Sequence, residues 1–148
     1  METDKDLQRR ILVVDDDRSL AHLVEEVLKF HGYTVRTAFD GLDALEKVQQ
    51  EVPDLIILDL IMPKMNGYEV CRALQASPAT AGIPVLMLTG QGLLDPPTKP
   101  GTKWSLETGI EERMEGFEAG ALEFLNKPIT AVDLVAQVRK TLALADLG

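Results

Sequence analysis

Five residues whose side chains can bind ions or take part in group transfer stand at the ends of short apolar runs. They are Asp15, Asp16, Asp59, Thr89 and Lys127. Short apolar runs that alternate with helical patterns are typical of buried parallel strands, whose carboxyl ends meet at one edge of the sheet. That edge would gather three carboxylates, a hydroxyl and an ammonium. Such a group of side chains suits a divalent cation together with a phosphoryl group.

The elements that would position these residues alternate between strand and helix. Apolar runs predict five strands, at residues 11–14, 33–38, 54–58, 83–88 and 121–126. Helix starts are predicted after Asp17, after Asp40, in the loop ending at Gly67, near Thr108 and at Thr130. This alternation requires right-handed crossovers, so the predicted fold class is α/β with a doubly wound, five-stranded parallel sheet.

Helical periodicity also predicts which side chains face the core. It places Leu23 on the first helix, Leu42 on the second and Val132 on the last helix among the inward-facing residues. Cys71 aligns with apolar neighbours on the third helix, which predicts a buried thiol. A single cysteine excludes an internal disulfide.

Composition and charge exclude several classes of protein. The chain has 148 residues, of which 45% are hydrophobic and 26% are charged, as expected for one globular domain. Its net charge of −9 argues against direct binding to nucleic acid or to an anionic membrane. We find no signal-peptide segment and no apolar run near the ~20 residues of a membrane span. We therefore expect a cytoplasmic protein.

Five stretches follow one another in a fixed order at the predicted strand ends. They are residues 13–17 (VVDDD), 58–67 (LDLIMPKMNG), 88–90 (LTG), 116–121 (GFEAGA) and 124–128 (FLNKP). Together they resemble the receiver domain of two-component response regulators, including its single-domain chemotaxis type. The resemblance covers residues 10–144, which leaves residues 1–9 as an N-terminal extension and residues 145–148 as a C-terminal tail. It implies a flavodoxin-like sheet with strand order 2-1-3-4-5.

The resemblance implies that Asp59 is the phosphorylation site. A sensor histidine kinase or a phosphotransfer protein would donate the phosphoryl group from a phosphohistidine, and Asp59 would become an aspartyl phosphate. A Mg²⁺ (or Mn²⁺) ion would be bound directly by Asp16 and Asp59. Asp15 would contribute mainly through water, and Ile61 through its backbone carbonyl. On this interpretation the protein is a signalling receiver and not an enzyme, beyond its own phosphorylation and dephosphorylation.

Two further side chains would contact the phosphoryl oxygens. These are the hydroxyl of Thr89 and the ammonium of Lys127, which a cis peptide bond before Pro128 would aim inward. Phe124 occupies the family's aromatic switch position, where the ring would turn inward as Thr89 moves towards the phosphate. A core phenylalanine that does not move is the alternative interpretation.

The resemblance places the output on the fourth helix, the fifth strand and the fifth helix. A downstream protein target, or an effector domain missing from this chain, would be the partner, and a homodimer through the same surface is a further expectation. Only residues 145–148 follow the fifth helix, so no DNA-binding or catalytic effector domain is expected here. A stand-alone regulator and an excised domain both fit.

Two departures from the family pattern carry predictions. The segment between Thr89 and Lys127 is longer than in typical receivers, which implies an insertion at about residues 91–107. That insertion is interpreted as either a partner-docking or lid element, or a tolerated excursion. Ile61 stands where relatives often carry a polar side chain that orients the hydrolytic water. Since isoleucine cannot do this, we predict a long-lived phosphoryl state, with Gln91 as another residue that could orient water.

Two alternative functions remain open at this point. Haloacid-type hydrolases also use an aspartate nucleophile and magnesium on a doubly wound sheet, but they place a second acid two residues later, where this chain has Ile61. An interaction module that is never phosphorylated is the other alternative. Such receivers usually lack one of the acids, the hydroxyl or the lysine, all of which are present here.

Overall fold

The computed structural model describes residues 9–89, 120–127 and 129–147. The strands are β1 (Arg10–Val14), β2 (Thr34–Ala38), β3 (Leu55–Asp59), β4 (Val85–Thr89) and β5 (Glu123–Asn126). The helices are α1 (Arg18–Phe30), α2 (Gly41–Gln50), α3 (Gly67–Gln75) and α4 (Ala131–Leu147). The predicted insertion at residues 91–107, the helix near Thr108 and the cis bond before Pro128 lie outside the described residues. Within the described ranges, no helix is long and apolar enough to span a membrane.

The strands form one parallel sheet in the order β2-β1-β3-β4-β5, which confirms the predicted order. β1 lies between β2 and β3, with Ile11 paired to Val35 on one side and to Leu55 on the other. β4 lies between β3 and β5, and Thr89 is paired with Asn126 at their carboxyl ends. The ends of four adjacent strands (β1, β3, β4 and β5) therefore share one edge of the sheet.

Apolar side chains cover both faces of the sheet. All five residues of β3 are buried, as expected for the central strand of a parallel sheet. Alternate residues of a strand point to opposite faces, so the sheet separates two apolar clusters. One cluster packs the sheet against α2 and α3, and the other packs it against α1 and α4. Cys71 is buried in the first cluster, as predicted, and burial raises the pKa of its thiol to about 12.

Short polar side chains begin the helices where the sequence predicts. Asp17 Oδ1 accepts a hydrogen bond from the backbone N–H of Leu20 at 3.1 Å. Asp40 and Thr130 make the same contact with the N–H three residues further along, at 2.7 Å and 3.1 Å. An accepting side chain at this position satisfies one of the unpaired N–H groups of the first helical turn. These caps fix where the chain leaves the sheet edge and enters each helix.

Three predictions of buried helical residues are wrong. Leu23, Leu42 and Val132 are predicted to face the core, but all three are exposed. On α4 the first buried residue is Leu134, two positions after Val132. The apolar stripe of a helix covers three to four positions in every two turns, so periodicity can place its margin one or two residues off. α4 also continues to Leu147, past the predicted end of the domain.

Gly67, the first residue of α3, lies directly against the backbone that carries Asp59. Its N–H donates to the carbonyl of Leu60 at 2.8 Å. A Cβ at this position would lie 2.8 Å from the carbonyl oxygen of Asp59 and 2.8 Å from Met87 Sδ. We predict that Gly67→Ala lowers the free energy of unfolding by about 1–3 kcal/mol, because backbone cannot give way as a flexible side chain can. Urea denaturation measures this difference.

Gly82→Ala is the matched control for Gly67→Ala. Within 4 Å of a Cβ at Gly82 there is no heavy atom to meet. Alanine at this position restricts the unfolded chain as it does at position 67, but it causes no clash in the folded protein. The free energy of unfolding should therefore stay unchanged or rise slightly. Equal stabilities of the two variants would show that α3 does not need this close approach to the end of β3.

Candidate functional site

The candidate site lies at the carboxyl edge of the sheet, where β1 and β3 end side by side. Asp15 and Asp16 follow β1, and Asp59 is the last residue of β3. Pairing of Val14 with Leu58 puts the two strand ends at the same level. One carboxylate oxygen from each of the three aspartates consequently lies within 4.8 Å of the others. The structure thus brings together the carboxylates that the sequence predicts at this edge.

Burial divides the three carboxylates into two kinds. Asp15 and Asp59 are buried, whereas Asp16 is exposed. Asp15 Oδ1 accepts a hydrogen bond from the backbone N–H of Asp17 at 3.0 Å, which orients its carboxylate. Two carboxylates that are removed from water and close together repel each other strongly, because little solvent screens their charges.

The ammonium of Lys127 lies between the two buried carboxylates. Its Nζ is 3.2 Å from Asp15 Oδ2 and 3.2 Å from Asp59 Oδ1. Its backbone N–H donates to the carbonyl of Thr89 at 2.8 Å, which fixes the chain as it leaves β5. The ammonium is thus shared equally between the two carboxylates. One ammonium offsets only part of the charge of two carboxylates, so the site stays negative.

The pKa values of the site reflect this balance of burial and charge. Burial and then the charge of Asp15 raise the pKa of Asp59 to about 6, although Lys127 and the backbone N–H of Ile61 act in the opposite direction. Burial alone would lower the pKa of Lys127. The charges of Asp59 and Asp15 outweigh burial, so the pKa of Lys127 is raised and the lysine stays protonated at neutral pH.

The donor set fits a hard divalent cation. Carboxylate oxygens are the ligands that Mg²⁺ and Mn²⁺ prefer, and three of them converge here. Burial and the charge of Asp15 raise the pKa of Asp59 more than Lys127 lowers it, an imbalance that disfavours the charged carboxylate. A cation held by these carboxylates would relieve that imbalance. The cluster could therefore bind a metal ion.

Ionisation of Asp59 should cost stability in the metal-free protein. Because its pKa is raised from 3.8 to about 6, the folded state holds the proton more tightly than the unfolded chain does. The resulting stabilisation is complete below about pH 4 and is lost as the pH rises through about 6. We predict that Asp59→Asn raises the free energy of unfolding at pH 8 in EDTA by roughly 1–3 kcal/mol.

Urea denaturation of both proteins from pH 4 to pH 8 checks this prediction. The difference between them should shrink as the pH falls, because wild-type Asp59 then becomes neutral. Glu26→Gln, which removes a charge at an exposed position of α1, is the control and should show no such trend. A constant difference at every pH would mean that ionisation of Asp59 does not strain the folded protein.

Thr89 ends β4 beside this cluster, and its partner is a residue to which the sequence assigns no role. The hydroxyl of Thr89, which is buried, donates to Asn126 Oδ1 at 2.7 Å. Asn126 is the last residue of β5 and is paired with Thr89 across the two strands. Its place directly before Lys127 could have marked it as close to the site. Its register against Thr89 could not be known from the sequence.

The two other predicted site residues occupy contrasting environments. Phe124 is buried, with 9% of its surface exposed, and lies in the same apolar cluster as Met87 and Ala121. The ring is therefore packed in the core in this structure. Ile61, two residues after Asp59, is 44% exposed in the loop that follows β3. Its side chain, at the margin of the site, is apolar and carries no hydrogen-bonding group.

Comparison with known proteins identifies the family. The family model of the response regulator receiver domain matches residues 11–99. The chain belongs to this family. It is thus a receiver of the kind found in the response regulators of two-component systems, as the sequence motifs predict. The match also separates this receiver from haloacid-type hydrolases.

Curated relatives of this receiver are response regulators. It is 38% identical over 137 residues to the DNA-binding dual master transcriptional regulator RpaA of Synechocystis sp.. The matched region covers 93% of this chain and 50% of RpaA. It is also 38% identical over 133 residues to the response regulator MprA of Mycobacterium ulcerans, and this match covers 90% of this chain and 50% of MprA. The chain therefore spans about half the length of these relatives.

Solved structures show the same fold. The chemotaxis protein CheY4 of Vibrio cholerae matches this receiver with a TM-score of 0.75 and 33% sequence identity. The match covers 90% of this chain and 98% of CheY4. Together with the strand order, this likeness confirms the flavodoxin-like receiver fold.

Proposed function

We propose that this receiver accepts a phosphoryl group on Asp59 in a Mg²⁺-dependent reaction and that phosphorylation switches its contacts with other proteins. The observation that supports this most directly is the placing of Lys127 Nζ at 3.2 Å from Asp59 Oδ1, within a cluster of three carboxylates. The ammonium, together with a cation held by these carboxylates, would provide the positive charge that phosphoryl transfer requires.

In the proposed reaction an ionised oxygen of Asp59 attacks the phosphorus atom of a phosphohistidine. A P–O bond to Asp59 forms as the P–N bond to the imidazole breaks, and solvent protonates the departing imidazole. The ammonium of Lys127 offsets negative charge on the phosphoryl oxygens. With a pKa of about 6, Asp59 is mostly ionised at neutral pH, so it needs no separate base.

The residues proposed to hold Mg²⁺ (or Mn²⁺) are those of the acidic cluster and its adjoining loop. Asp16 and Asp59 would be direct ligands, Asp15 would contribute mainly through water, and Ile61 would contribute its carbonyl oxygen. When bound, the ion supplies positive charge beside the phosphoryl oxygens. The unbalanced charge of Asp15 and Asp59 is the feature of this chain that favours a cation there.

The remaining proposed roles concern the signal and its partners. Thr89 would donate its hydroxyl to a phosphoryl oxygen, and Phe124 would carry the change to the surface formed by β5, α4 and the predicted helix near Thr108. The donor would be a sensor histidine kinase or a phosphotransfer protein. The recipient would be a downstream protein or an effector domain, and a homodimer through the same surface is part of the proposal.

Incubation with a small acyl phosphate and Mg²⁺, followed by intact-mass measurement, tests the proposed function. We expect one phosphoryl group per chain and no sustained turnover of a small phosphomonoester. Peptide mapping should place the group on Asp59. A chain that stays unlabelled at every Mg²⁺ and donor concentration would instead be a receiver that acts without phosphorylation.

Ile61 should make the phosphoryl state long-lived. Its exposed side chain offers no group that can orient a water molecule towards the phosphorus atom. We predict that Ile61→Asn speeds loss of the phosphoryl group by about three- to tenfold, because an amide can position the attacking water. The decay of the intact-mass signal after removal of the donor gives the rate. Ile61→Val, which stays apolar, should decay like wild type, and equal rates for all three proteins would contradict this role.

A further inference from the structure

The hydroxyl of Thr89 already donates a hydrogen bond to another side chain. The hydroxyl oxygen is 2.7 Å from Asn126 Oδ1, which accepts the proton. The backbone holds the two residues together, since Thr89 and Asn126 are paired across β4 and β5 and the N–H of Lys127 donates to the carbonyl of Thr89 at 2.8 Å. Their contact is therefore set by the register of the sheet and not by a chance meeting of surface side chains.

A hydroxyl has one proton to donate. Thr89 can donate it to Asn126 or to a phosphoryl oxygen on Asp59, but not fully to both. Thr89 is buried, with 5% exposure, so its hydroxyl needs a partner in each state. Asn126 is exposed, so water can satisfy its amide once the hydroxyl has left. The contact is therefore one that can break at low cost to Asn126.

We propose that Asn126 is a positioning residue that competes with the phosphoryl group for the hydroxyl of Thr89. This inference depends on the proposed function, because it needs a phosphoryl group on Asp59. The neutral amide acceptor is the weaker competitor, since a charged phosphoryl oxygen accepts a stronger hydrogen bond. Asn126 thus disfavours, but does not prevent, the state in which Thr89 donates its hydrogen bond to the phosphoryl group. The strength of the acceptor at position 126 therefore determines how readily the hydrogen bond from Thr89 to the phosphoryl group forms.

The acceptor strength can be varied in both directions at this position. Asn126→Leu has a similar shape but no acceptor, so it leaves the hydroxyl available to the phosphoryl group. Asn126→Asp has a charged acceptor, which holds the hydroxyl more strongly and repels the phosphoryl group. Because Asn126 is exposed, neither change disturbs the core, and Asn126→Ala is a second variant without an acceptor.

The test measures the affinity of the metal-loaded protein for beryllofluoride, a phosphoryl mimic, by isothermal titration calorimetry with Mg²⁺ present. Asn126→Leu and Asn126→Ala should bind it about two- to tenfold more tightly than wild type, and Asn126→Asp should bind it more weakly by at least as much. In a Thr89→Val background the tighter binding of Asn126→Leu and Asn126→Ala should disappear, because the hydroxyl for which Asn126 competes is gone. Asn126→Asp should keep only the part of its weaker binding that comes from charge repulsion.

The outcomes separate this inference from the proposed function. If wild type binds beryllofluoride and all Asn126 variants bind it equally, the competition is absent and only the inference is overturned. The same holds if Asn126→Leu and Asn126→Ala still bind the mimic more tightly in the Thr89→Val background, since Asn126 would then act by another route. If wild type neither binds the mimic nor accepts a phosphoryl group, the proposed function and the inference both fall.

Discussion

Asp59→Asn will abolish incorporation of a phosphoryl group from a small acyl phosphate in the presence of Mg²⁺. The amide oxygen of asparagine carries no full negative charge, so it cannot act as the nucleophile. Asparagine has nearly the same shape and can still accept a hydrogen bond from Lys127, so the fold is retained. Intact-mass measurement should show full labelling of wild type and no labelling of the variant.

Asp40→Asn is the matched control for this loss. Asp40 caps α2, and asparagine caps a helix about as well as aspartate does, so this variant should be labelled like wild type. Labelling that persists in Asp59→Asn would show that another residue accepts the phosphoryl group. Peptide mapping of that product would then identify the acceptor.

Asp16→Asn will weaken Mg²⁺ binding by about tenfold or more, because one of three converging negative charges is removed. Asp16 is exposed, so its replacement leaves the packed core unchanged. Two measurements check this result. The midpoint of thermal unfolding should rise with Mg²⁺ in wild type and much less in the variant. The rate of labelling should require correspondingly more Mg²⁺.

Asp17→Asn separates the role of Asp16 from a general effect of charge. Asp17 is the adjacent residue and caps α1, a position that asparagine fills equally well. This variant also loses one negative charge, but Asp17 is not a member of the acidic cluster. We therefore expect it to keep its Mg²⁺ affinity to within about twofold. Equal losses in both variants would mean that net charge, and not ligation by Asp16, governs the affinity.

The alternation of strands and helices predicts a doubly wound sheet, and the family resemblance adds the strand order that brings Asp15 and Asp59 together. Parallel strands in the order 2-1-3-4-5 place the ends of β1 and β3 next to each other whatever the details of packing. Lys127 follows β5 at the same edge of the sheet, and its long side chain extends past the end of β4 to the two aspartates. Its additional contact with Asp15 depends on where its long side chain settles, which no pattern in the sequence specifies.

Two kinds of feature could not be predicted in this way. The pairing of Thr89 with Asn126 depends on the register of β4 against β5, and a shift of one residue would turn one of the two side chains to the other face. The exposure of Leu42 and Val132 depends on how α2 and α4 are rotated against the sheet. Several neighbouring apolar residues can satisfy the same helical period, and tertiary packing selects among them.

The bridge from Lys127 to Asp15 joins residues that are 112 positions apart in the chain. A nascent chain that has left the ribosome only as far as β4 already carries the aspartates, but it lacks the ammonium that balances them. Closing so distant a contact is among the slower events in folding. The site consequently becomes complete only when the last strand joins the sheet, so under the proposed function unfinished chains should be poor phosphoryl acceptors.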